Sequence, residues 1–72
     1  MELALAELEV LKGEEHIAEQ RRRVEELESA GLDAALAKEF LATLEQSQAL
    51  HIQRCNQLIE ELALLESVVR HG

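Results

Sequence analysis

Between Ala34 and Val69 the residues Ala34, Ala37, Leu41, Leu44, Gln48, His51, Cys55, Leu58, Leu62, Leu65 and Val69 follow one another at spacings that alternate three and four without a break. That period of 3.5 marks an α-helix with one continuous face turned toward another helix. A strand has period two and cannot carry it. The helix is expected over about residues 34–70. Arg70 and His71 at its end suit the negative pole of the helix dipole.

A shorter run of the same kind precedes it. Leu3, Val10, Ile17 and Val24 recur every seven residues, with Ala6, Gly13, Gln20 and Leu27 three places after each. This predicts a first helix over about 2–30. Gly31 stands where a C-terminal cap belongs, and Asp33 where the next helix needs an N-terminal one. Gly13 could instead break the first helix, which would set residues 1–12 apart as a short helix of their own. With only Gly31–Asp33 between them, the helices must run antiparallel. The expected fold is therefore all-α: one coiled-coil-like helical hairpin over 1–72, dimerising into a four-helix bundle.

Composition supports dimerisation. The chain has 72 residues, no proline, one cysteine and one aromatic residue, Phe40. So short a chain buries little surface, and such scaffolds add disulfides, metal or oligomerisation. A lone Cys55 makes no intrachain disulfide. Off the seam the first helix carries Ala4, Leu8, Leu11 and Ala18, and the second carries Ile52 and Ile59, with Leu36, Phe40, Leu64 and Val68 elsewhere. A helix apolar on more than one stripe is buried on more than one side. Leu8, Leu11, Ile52 and Ile59 are the expected dimer contact, at the end that holds both termini.

The middle of the second seam is polar: Gln48, His51 and Cys55 interrupt the leucines. One register of the hairpin sets Gln20 against Gln48, Ile17 against His51 and Gly13 against Cys55. The neighbouring register, one heptad away, sets Val10 against His51 and Gln20 against Leu41. The first is expected, because it lets polar meet polar and a buried polar group needs a partner. The plainest reading of this layer is register control. A sharper one is a metal site: His51 and Cys55 are spaced i, i+4, His16 reaches the same level, and such ligands suit zinc. A third is a reactive cysteine beside histidine, for which no orienting group is evident. Arg21, Arg22 and Arg23 are read as ordinary helix ion pairs with Glu25, Glu26 and Glu19, each four residues away.

Residues 14–62 resemble a group of short, uncharacterised bacterial helical-hairpin proteins. Their pattern runs HIAE, an arginine-rich helix, a glycine-centred turn with an acidic residue, then a segment like LLATLEQTQALH. The matching pieces are His16–Glu19, Gly31–Asp33 and Phe40–His51. The resemblance implies a recurring two-helix module with His16 and His51 inside its pattern, and it brings no function with it. The first twelve residues extend beyond that pattern.

A net charge of −8 argues against nucleic acid and against anionic membrane as partners. The N-terminus has acid where a secretion signal carries base, so a cytoplasmic location is expected. Neither a phosphate-binding loop nor an acid–base pair with an orienting group is present, so no enzyme is expected. Two functions stay open. One is a homodimeric protein-interaction module, with itself and a further protein as partners and no cofactor. The alternative is a metal or ligand sensor built on His16, His51 and Cys55.

Overall fold

The structure is a computed structural model that describes residues 2–71. Met1 and Gly72, part of the span expected for the hairpin, lie outside the described residues. Two helices, α1 (Glu2–Ser29) and α2 (Ala35–His71), pack side by side as an antiparallel hairpin 64 Å long and 14 Å across. α1 runs through Gly13 without a break.

Local chemistry explains the turn. Gly31 takes a left-handed conformation, φ 73°. Its N–H donates to the Glu28 carbonyl at 3.0 Å, and the Leu32 N–H to the Leu27 carbonyl at 2.9 Å. These are the paired bonds of a Schellman motif, which satisfies carbonyls that the end of a helix leaves over. The Asp33 carboxylate accepts from the Ala35 N–H at 2.9 Å. The first bond of α2 runs from the Lys38 N–H to the Ala34 carbonyl, so Asp33 caps from one place further upstream than expected. Lys38 then clasps Glu28 across the turn at 2.8 Å.

The seams form the interior. Among the described residues, every side chain that is not exposed belongs to one of the two heptad series. The buried ones are Ala6, Ile17, Gln20 and Val24 from α1, Gln48 from α2, and Ala34 just ahead of it. Beyond Leu58 the second seam is exposed among the described residues, at Leu62, Leu65 and Val69. Leu3, in the first turn of α1, shares a recess with Leu58, Leu62 and Leu65, so α1 begins at that level. The last ten residues or so of α2 project past it as an overhang.

The register differs from the one expected. The Gln48 amide donates to the Val10 carbonyl at 2.8 Å, and the Gln20 amide to the Ala37 carbonyl at 3.0 Å. Gln48 therefore lies against Gly13, where Cys55 was expected, and Gln20 lies near the level of Leu41. The reason is chemical. A helical carbonyl keeps a second lone pair after its own helix bond, so a buried amide can be satisfied by the opposite backbone and needs no polar side chain there. Gly13, three residues after Val10, leaves that carbonyl open: a Cβ at position 13 would fall on the Gln48 amide. The tight turn agrees, since the expected register would have centred it near Ala34. Arg21 is also redirected: it pairs with Glu45 of α2 at 3.7 Å, while Arg23 pairs with Glu19 as expected, at 3.1 Å.

Two outcomes follow. Gly→Ala inside a helix ordinarily stabilises by about 1 kcal/mol. Here Gly13→Ala displaces a buried amide and breaks its bond, a loss of about 1–3 kcal/mol. Urea unfolding of a double-mutant cycle should find Gly13→Ala destabilising in the native chain and stabilising in a Gln48→Ala background. The second concerns Lys38, whose amine is held above its ordinary 10.5 by the hydrogen bond and charge of Glu28, with a smaller push from Asp33. Because folding raises this pKa, the clasp is fully present below the ordinary lysine value and is lost as pH climbs through the raised one. Glu28→Gln should move the Lys38 titration down, read by NMR.

Candidate functional site

The register decides what the polar layer can do. His51 and Cys55 lie half-buried in the α2 seam, and His16 is exposed on the flank of α1. His16 and His51 line one shallow groove with Gly13, Leu44 and Ser47, open to solvent and edged by Glu9 and Lys12. Cys55 is not part of that lining. It stands seven residues beyond Gln48, about 10 Å further along the helix. The one-heptad shift that brings Gln48 to Gly13 thus carries Cys55 away from His16. Among the described residues no group of three or more His, Cys, Asp or Glu side chains is placed to hold a metal ion.

His51 has a different engagement. Its Nδ1 lies 3.4 Å from Gln48 Oε1. That oxygen can only accept, so the contact requires the ring proton on Nδ1. Imidazole, amide and the Val10 carbonyl form a short chain of polar contacts. None of the buried side-chain nitrogen or oxygen atoms among the described residues lacks a partner. The buried amides of the layer are satisfied within it.

The four side chains expected at a dimer contact behave otherwise. Leu8, Leu11, Ile52 and Ile59 are exposed, at 46%, 57%, 43% and 49% of their surface. The Arg21–Glu45 and Glu28–Lys38 pairs fix one edge of the hairpin. The same offset carried along that edge sets Ile52 level with Glu14 and Ile59 level with Glu7. Leu11 stands one turn from both glutamates and borders the edge, while Leu8 lies further round α1. Leu8 and Ile59 fall toward the open end, while Leu11 and Ile52 stand near the middle of the rod, Ile52 close to the midpoint of α2. The overhang was not singled out from the sequence. Its signal was the α2 seam being longer than the α1 seam, which matters only once the register is known.

No protein-family model, curated protein or solved structure matches this chain. No helix among the described residues is long and apolar enough to cross a membrane.

Zinc added to chelator-treated protein is expected to leave the thermal midpoint unchanged, because a ligand raises stability only through a site in the folded state. A midpoint that climbs with zinc would mean that His16, His51 and Cys55 come together after all.

Proposed function

We propose that this chain is a non-enzymatic, homodimeric helical interaction module: two hairpins packed as a four-helix bundle through Leu8, Leu11, Ile52 and Ile59. The observation that carries it is where the large apolar residues are. Among the described residues the buried hydrophobic ones are Ala6, Ile17, Val24 and Ala34, no large side chain is fully buried, and fourteen large hydrophobic side chains are exposed, from Leu5 to Val69. A core that small does not offset the ordering of seventy-odd residues, at roughly 1.5 kcal/mol each. Covering this patch with its own copy supplies the missing burial, and two-fold pairing is the commonest way proteins do it.

Within such a dimer the glutamate-rich outer face stays free to receive another protein, in the manner of a small regulator or adaptor. A cytosolic setting fits a lone free thiol. The bundle requires no cofactor.

Replacing both Leu8 and Ile59 with glutamate places like charges inside the proposed contact. The double variant should sediment as a monomer, or be unfolded by circular dichroism, at concentrations where the native chain is a dimer. A native-sized, fully helical dimer after that change would defeat the proposal.

A further inference from the structure

Among the described residues the overhang of α2 leaves a run of large apolar side chains exposed. Leu62, Leu64, Leu65, Val68 and Val69 are all exposed, at 42–79% of their surface. Leu62, Leu65 and Val69 continue the intramolecular seam in phase, so a second helix is the shape that fits them. We infer that the overhang of one copy docks on the apolar patch of a second copy, laying Leu62, Leu65 and Val69 against the partner's Leu8, Leu11, Ile52 and Ile59 in a staggered two-fold dimer.

This rests on the dimer reading and specifies its geometry. Three observations favour a second copy as the occupant. The overhang and the part of the patch made by Leu8 and Ile59 lie toward the same end of the rod, so a two-fold axis near that end brings each onto the other twice. Area is the second. Four half-exposed side chains offer on the order of a few hundred Å², short of the roughly 800 Å² per partner usual in stable complexes, and the overhang's seam adds three more. Charge is the third. The first half of α1 carries Glu2, Glu7, Glu9, Glu14 and Glu15 against a single Lys12, whereas the overhang has one acid, Glu66, and ends in Arg70 and His71. The stagger sets that basic tip beside the glutamates flanking Leu8 and Leu11. Pairing the two overhangs with each other would leave those glutamates unanswered.

Disulfide trapping tests the placement in the full chain. In a Cys55→Ser background, Val69→Cys and Leu8→Cys are introduced singly. Both sites are exposed in the hairpin, so each variant should keep its helicity. Mixed and mildly oxidised, the two proteins should form the mixed disulfide between positions 8 and 69 at least about tenfold faster than the denatured mixture, because a docked pair shares a high effective concentration. Predominant linkage of position 69 to itself would overturn the inference, since the overhangs would then pair with each other. No linkage above the denatured control, with a dimer seen by sedimentation, would also overturn it while leaving the dimer reading intact. A native chain that sediments as a monomer throughout would defeat both.

Discussion

One hydrogen bond, from the Gln48 amide to the Val10 carbonyl, sets the alignment of the whole molecule. Its net contribution to stability is about 1 kcal/mol, as for any neutral pair. Its weight lies in discrimination. Slide α2 by one heptad and most leucine layers re-form, but the amide loses both the carbonyl and the notch at Gly13. A weak interaction decides the register because the strong ones, the leucine layers, are nearly indifferent to it.

Most of the fold was legible because period and punctuation are local properties. The 3.5 period of both seams, the left-handed Gly31 and the acid at Asp33 each follow from residues within a few positions of one another. Sixteen seam positions, from Leu3 to Leu58, are the positions the structure withdraws from solvent. The register was not legible, because a heptad pattern repeats under a seven-residue slip and so cannot choose between its own translations. Matching polar side chain to polar side chain was the wrong tie-break. The acceptors were main-chain atoms, which no sequence pattern displays.

The same slip governs the candidate sites. Grouping His16 with His51 and Cys55 depended on the register that placed Cys55 beside Gly13. With Gln48 in that place, His51 turns to the glutamine and Cys55 moves along the helix. The expected dimer residues did not depend on register in this way. Their exposure follows from their distance from the seam, which is a property of each helix alone.

The overhang has a consequence for how firmly the two ends of the rod are held. Near the turn each helix is braced by the cap, the clasp and its partner's side chains. Past Leu58, α2 has little besides its own backbone bonds and the recess that Leu62 and Leu65 share with Leu3, and a helix segment of that length is barely favoured in water. The hairpin is therefore graded, ordered at the tip and prone to fray at the open end. Whatever settles on Leu65 and Val69 must also suppress that fraying, and part of its contact energy goes into doing so. Binding there is correspondingly softer and more readily reversed than the exposed apolar surface alone would give.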